Sequence, residues 1–212
     1  MTNPFSISFG KKPTEYISRF KQTEEIIYTF KSEIPSSQAY MIVGIRGSGK
    51  TVALSSISNE LKKDDSWIVF ELNPTRDILN SFAAKLYALP IMNKSFLDAK
   101  LDLSLLGIGV SLDKGDKYSD IEQAISAMLE IVAKKKKKIL ITIDEVTNNK
   151  NMKEFASAFQ IFIRNDYPLF LIMTGLFKNI NSLRNNKSLT FLYRTPKIKL
   201  EGLNMMAVAD SY

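Results

Sequence analysis

Residues 39–51 read AYMIVGIRGSGKT: an apolar run from Ala39 to Val43, then glycines at 44, 47 and 49, then Lys50 and Thr51. From Gly44 to Thr51 the stretch fits G-x-x-x-x-G-K-[S/T] at every position. The apolar run predicts a short buried strand, and the residues from about Lys50 to Lys63 predict a helix, so the glycines sit in a strand-to-helix turn. Chemically, Gly44, Gly47 and Gly49, with Ser48 between, let successive backbone N–H groups turn inward around phosphate oxygens. The helix that follows points its positive end, at Lys50, Thr51 and Val52, at the same place. Lys50 is positioned for terminal phosphates and the Thr51 hydroxyl for a magnesium ion. Arg46 occupies a position the pattern does not constrain and is expected to face solvent or a partner.

A phosphate loop of this kind needs an acid at the C-terminal end of another buried strand, because open α/β sheets bind ligands beyond the carboxyl ends of their strands. Residues 139–146, ILITIDEV, supply one. Asp144 is placed to hold the hydration shell of a metal ion, and Glu145 to polarise a water for attack on a γ-phosphate. An Asp-Glu pair after a strand can equally be a solvated loop that caps a helix, and only its pairing with the phosphate loop tips the reading toward catalysis. Thr174, at the end of FLIMT, is either a contact for the γ-phosphate or the attacking water, or a hydroxyl that satisfies backbone where the strand turns at Gly175. Arg194, before the last short strand, is either a guanidinium offered to a nucleotide, such as a neighbouring subunit's, or an ordinary surface arginine.

The rest of the chain alternates in the same way. Phe20, Ile26, Ile27, Phe30 and Ile34 mark a first helix. Trp67–Leu72 reads as a strand, followed by Asn73-Pro74 as cap and first-turn proline of a helix through Leu86. Ser119 with Glu122 reads as a capping box, opening a helix that ends in five lysines, Lys134–Lys138. Ile139–Ile143 is a third strand, Met152–Ile163 a helix, Leu169–Met173 a fourth strand and Ile198–Leu200 a fifth. Between them fall a short helix with Leu176, Ile180 and Leu183, and a helical turn through Phe191. Leu101, Leu103 and Leu105, then Ile108, Val110 and Leu112, alternate about Leu106-Gly107 and predict an inserted β-hairpin. Its lone G-I-G is read as a turn. Continuous apolar strands alternating with helices predict an α/β fold with a parallel sheet covered on both faces.

Composition narrows the chemistry. The 212 residues include neither cysteine nor histidine, which removes disulfides, thiol chemistry, zinc sites with nitrogen or sulfur ligands and imidazole triads. What remains is Asp, Glu, Lys, Arg, hydroxyls, backbone and a hard ion such as Mg²⁺. No run approaches the roughly 18 apolar residues of a spanning helix, and MTNPFSISFG lacks the pattern of a signal peptide, so a cytoplasmic location without membrane contact is expected. The net charge of +7 falls to +2 without the lysine block. Global basicity is thus a weak pointer to a polyanion. The block itself is expected to be a solvated helix end, about 20 Å of strand away from Asp144.

Taken together, YISR (residues 16–19), GIRGSGKT, LITIDEV, FLIMTGL and FLYRTPKIKLEGL, in this order, resemble the AAA+ superfamily of P-loop ATPases. Within it they resemble the archaeal and bacterial branch similar to origin-recognition and Cdc6-like proteins and to STAND ATPases. The resemblance implies a three-layer αβα fold with a five-stranded parallel sheet ordered 5-1-4-3-2, with residues 16–201 as the ATPase core and 1–15 as a flexible start. It implies ATP and Mg²⁺ as cofactors, Asp144 and Thr51 on the metal, and Glu145 as water activator. Thr174 becomes the sensor on the fourth strand, Arg194 falls near the position of the arginine finger, and Arg19 comes close to the adenine. Ser18-Arg19 departs from the Gly-Arg usual in relatives, and residues 202–212 fall where a helical lid would start, so the sequence is expected to be a piece of a longer chain.

The function expected is a magnesium-dependent ATPase that switches conformation or assembly, as a homo-oligomer or with a DNA or protein partner reached through further domains. Two other classes share the phosphate loop. A small-molecule phosphotransferase would require an acceptor. A nucleotide-gated DNA-binding scaffold would hydrolyse little and would use the lysine block, with a steep salt dependence.

Overall fold

Five segments become strands in the computed structural model, which describes residues 20–92, 120–186 and 189–201. They are β1 (Ala39–Gly44), β2 (Trp67–Leu72), β3 (Lys138–Ile143), β4 (Leu169–Gly175) and β5 (Lys197–Leu200). All neighbouring pairs run parallel, in the order β2-β3-β4-β1-β5, which is the expected 5-1-4-3-2 read from the other edge. The helices are α1 (Phe20–Lys31), α2 (Lys50–Leu61), α3 (Ile78–Tyr87), α4 (Ile121–Lys134), α5 (Lys150–Arg164), α6 (Phe177–Arg184) and α7 (Thr190–Arg194).

Alternation along each strand divides the core between the two faces of the sheet. On one face Tyr40, Ile42, Leu140, Phe170 and Ile172 pack with Ile26 and Phe30 of α1 and with Leu54, Ile57 and Leu61 of α2. Rings concentrate there, with Phe30 and Trp67 lying 4.8 and 4.9 Å from Phe170 between centroids. On the other face Met41, Ile141, Ile143, Leu171 and Met173 meet α3, α4, α5 and α6, where Phe159 stacks at 6.0 Å on Phe155 and 5.8 Å on Phe191. Strands buried on both sides read as nearly continuous apolar runs, and β1 and β4 are buried along their whole length.

Two helix starts differ from the sequence reading. Helix α4 is capped by Asp120, whose carboxylate accepts from the Glu122 backbone N–H at 3.1 Å, one residue beyond the expected Ser119. Asn73-Pro74 does not open α3. Asn73 closes an Asx turn on Thr75, and Asp77 is the cap, accepting from the Asn80 N–H at 3.0 Å and from its side-chain amide at 2.7 Å. A carboxylate makes a stronger acceptor for free N–H groups than a side-chain amide already committed to its own turn.

The lysine block also differs from a uniformly solvated helix end. Lys136 takes a left-handed backbone (φ 53°), and the N–H groups of Lys136 and Lys137 bond the carbonyls of Ala133 and Val132, so the middle of the block is a helix stop. Lys137 Nζ donates to the Asp65 carbonyl at 2.6 Å. Lys138 begins β3 and lays its ammonium 5.4 Å from the Trp67 ring centroid. The expected hairpin, the N-terminal segment with Tyr16–Arg19, Ser119 and residues 202–212 lie outside the described residues. Among the described residues no helix is long and apolar enough to cross a membrane.

Removing the Phe159 ring should open a cavity between α5 and its neighbours. Phe159→Ala is expected to lower the unfolding free energy by about 3–5 kcal/mol in chemical denaturation, whereas Tyr28→Ala, on an exposed ring, should change it by less than about 0.5 kcal/mol. Equal effects of the two would contradict this assignment of the core.

Candidate functional site

The C-terminal ends of β1, β3 and β4 meet at one edge of the sheet, and the polar residues of the site are gathered there because each lies at or just past a strand end. Gly44 closes β1 where there is no space for a side chain. A Cβ at this position would lie 2.5 Å from the Leu200 carbonyl oxygen of the neighbouring β5. Gly47 and Gly49 take left-handed conformations (φ 76° and 82°), and Gly49 serves as the N-cap of α2. Ile45 and Arg46 of the loop are exposed. Ser48 is fully buried, and its hydroxyl has no hydrogen-bond partner among the described residues. Leaving such a group unpaired costs about 1–3 kcal/mol, an expense concentrated in this loop.

Lys50 is buried, and its Nζ donates to the carbonyls of Gly44 at 3.1 Å and Ile45 at 2.7 Å. The ammonium is therefore folded into the loop on two neutral acceptors, from which a charged phosphate oxygen could draw it. Thr51 and Val52 follow in the first turn of α2, whose leading N–H groups have no partner within the helix.

Asp144 is the hub of the site. Its Oδ2 accepts from the Thr51 hydroxyl at 2.7 Å, and its Oδ1 accepts from the Thr174 hydroxyl and from the Glu145 N–H at 3.0 Å. Thr174 is fully buried, and its oxygen also accepts from the Glu145 N–H at 3.2 Å. Thr174 thus serves the backbone just past the strand end, by accepting from the Glu145 N–H, and in addition gives its proton to Asp144. Glu145 has a left-handed backbone (φ 54°), which turns its side chain to solvent while Val146 returns to the core and donates its N–H to the Thr174 carbonyl at 2.8 Å. The Thr51 hydroxyl and the Asp144 carboxylate are hard oxygen donors within hydrogen-bond distance of each other, a donor set suited to Mg²⁺.

Beside these groups opens a cleft of about 690 Å³ between α2 and the β2–β3 side of the sheet. Ser55, Ser58, Glu71, Asn73, Thr75 and Thr142 line it together with Thr51, Asp144 and Glu145. Thr142 interrupts an otherwise apolar strand; it was not singled out in the sequence because one hydroxyl in ILITI reads as strand propensity. Also unforeseen were three asparagines after the acidic pair. Asn149 caps α5 through the Met152 N–H at 2.8 Å and donates to the Pro74 carbonyl at 2.8 Å. Asn151 donates to the Arg76 carbonyl at 2.8 Å, and Asn148 to the Ser182 hydroxyl at 2.8 Å. An Asn three residues before Met152 was a legible cap signal; the cross-loop bonds had no local signal at all.

Arg194 does not join this group. It is exposed at the end of α7 and lines a small cavity with Ser36, Ser37, Gln38 and Gln160, at the N-terminal edge of the sheet. Crossing β1 from Ala39 to Gly44 takes about 17 Å, so Arg194 cannot touch the phosphate loop of its own chain. Arg19 lies outside the described residues.

The profile of an ATPase-domain family predominantly from Archaea matches residues 19–173. No curated protein matches the chain. Among solved structures, Cdc6p from Pyrobaculum aerophilum has a TM-score of 0.60 at 13% identity, over 97% of this chain and 50% of that one. The Aeropyrum pernix ORC1 protein, solved in complex with DNA, has a TM-score of 0.59 at 12% identity, over 93% and 49%. The Aeropyrum pernix ORC2 protein, solved as ADPNP–ADP complexes, has 0.59 at 13% identity, over 96% and 52%. The chain thus spans about half the length of these structures. With most of its length matched by the family profile, this chain belongs to the predominantly archaeal family of ATPase domains, and its fold is the AAA+ P-loop fold of the Orc/Cdc6-like type.

Proposed function

We propose that the chain is a magnesium-dependent ATP hydrolase whose cycle switches conformation or assembly. The observation that carries this reading is the Asp144 carboxylate held between the hydroxyls of Thr51 and Thr174, with Glu145 next to it and free to face solvent. Magnesium would be held by Thr51 and Asp144 and would neutralise charge developing on the phosphate oxygens. The N–H groups of Gly47 to Val52 hold the phosphates, and Lys50 leaves its two carbonyls to pair with the terminal ones. Glu145 orients a water and takes its proton on the carboxylate as the oxygen attacks the γ-phosphorus and the bond from that phosphorus to the β,γ-bridging oxygen breaks, with ADP leaving. Thr174 keeps Asp144 in place by donating to it.

Arg194 belongs, in this reading, to the neighbouring copy's reaction. Its place on the opposite sheet edge suits a guanidinium that acts in trans, on a nucleotide held between two copies. Association with DNA would run through parts of a longer protein, as would whatever the switch acts upon. ATP rather than GTP is favoured because no N-K-x-D motif follows β4.

Lys50→Ala should abolish measurable ATP binding in calorimetry. Glu145→Gln should keep binding and lose turnover by about 10²–10⁴-fold. Equal affinity of wild type and Lys50→Ala would refute the phosphate-loop assignment, and ATP consumption that strictly needs an added acceptor would replace hydrolysis with phosphoryl transfer. Arg194→Ala should retain ATP affinity and lose turnover by on the order of 10³-fold, with activity restored on mixing with Glu145→Gln chains. Failure of that restoration would place Arg194 outside the reaction.

A further inference from the structure

Helix α7 is five residues long, too short to hold itself together, yet it delivers the exposed Arg194 at its final position. Its first anchor is the side chain of Leu192, which is fully buried. Its C-terminal carbonyls are then satisfied in turn. The Phe191 carbonyl accepts from the Thr195 N–H and hydroxyl, both at 3.0 Å. The next two belong to a residue of another helix, because Arg184 donates Nε to the Leu192 carbonyl at 3.0 Å and Nη2 to the Tyr193 carbonyl. Its guanidinium also lies 5.0 Å from the centroid of the Tyr193 ring, which is 68% exposed.

We infer that Arg184 is the positioning residue for Arg194: its planar fork caps the last turn of α7 and so fixes the direction in which Arg194 leaves the protein. This rests on the reading of Arg194 as a group acting on a second copy. A guanidinium can bridge adjacent carbonyls and stack on a ring at once; a lysine ammonium lacks the planar fork and the stacking face. Without the cap, the carbonyls of Leu192 and Tyr193 would seek water and the last turn would fray, and Arg194 would sample many directions in place of one. Misplacement of a reacting group by about 1 Å can cost on the order of 10²-fold in rate.

Arg184 also sits at the end of a helix tied to the other half of the site. Helix α6 begins directly after Thr174 and Gly175, and Asn148, from the loop that carries Glu145, holds Ser182 two residues before Arg184. One helix therefore connects the site a chain uses for its own nucleotide with the arginine it extends to the next.

The test separates the two sides of a mixed assembly. Glu145→Gln chains donate Arg194 but cannot hydrolyse, and Arg194→Ala chains hydrolyse but cannot donate, so the rate of the mixture reports donated arginines. Adding Arg184→Gln to the donor should cut the restored rate by on the order of 10²-fold, while adding it to the acceptor should leave that rate and the ATP affinity unchanged. Arg184→Lys in the donor should recover part of the rate. Equal losses on both sides would show a general structural role and overturn the inference, as would no loss on either. Unmixed Arg194→Ala chains that hydrolyse at the wild-type rate would instead remove the trans-acting arginine, and this inference with it.

Discussion

The site depends on one carboxylate being shared. Asp144 stands at the end of β3 and accepts from hydroxyls that belong to two other elements, Thr51 on α2 and Thr174 on β4. These are charge-assisted bonds, roughly twice as strong as neutral ones, and they lock three elements at one corner of the sheet. Each donor has its own structural reason to be there. Thr51 is fixed by the turn that Gly44, Gly47 and Gly49 allow, and Thr174 by the full burial of β4. A helix approaching from any other angle would leave the acid without one of its donors.

Parallel strands give the sheet a direction, and the direction sorts the charged groups. Everything the phosphate loop can reach lies at the carboxyl ends, and everything that precedes a strand lies on the far edge. Lys134–Lys138 and Arg194 are thereby kept away from the acids that follow them or face them in the text of the sequence. For the lysines the outcome is structural: a helix stop at Lys136, a bond from Lys137 to Asp65, and an ammonium over Trp67 from Lys138. For Arg194 the outcome is an exposed guanidinium on the far edge.

What the sequence made legible was whatever a short window encodes. The strands at Trp67–Leu72 and Ile139–Ile143, the glycine turn and the Asp-Glu pair each announce themselves within eight residues, and the strand order came with the resemblance those motifs carry. Helix starts were shifted where two capping residues compete nearby, as Asp120 does with Ser119 and Asp77 with Asn73. The bonds that join loops were not legible at all. Nothing local relates Asn149 to Pro74 or Asn151 to Arg76, because these pairs exist only once the sheet has brought distant segments together.

The left-handed backbone at Glu145 differs in kind from the two others outside glycine among the described residues. Lys136 and Asp166 take that conformation just past the ends of α4 and α5, where chains commonly turn. Glu145 takes it in the middle of a loop, at a cost of about 1–2 kcal/mol that a glycine would not incur. Selection for stability alone would accordingly drift toward glycine at this position. A stabilised version of this domain obtained by screening for heat resistance would be expected to lose the Glu145 carboxylate first.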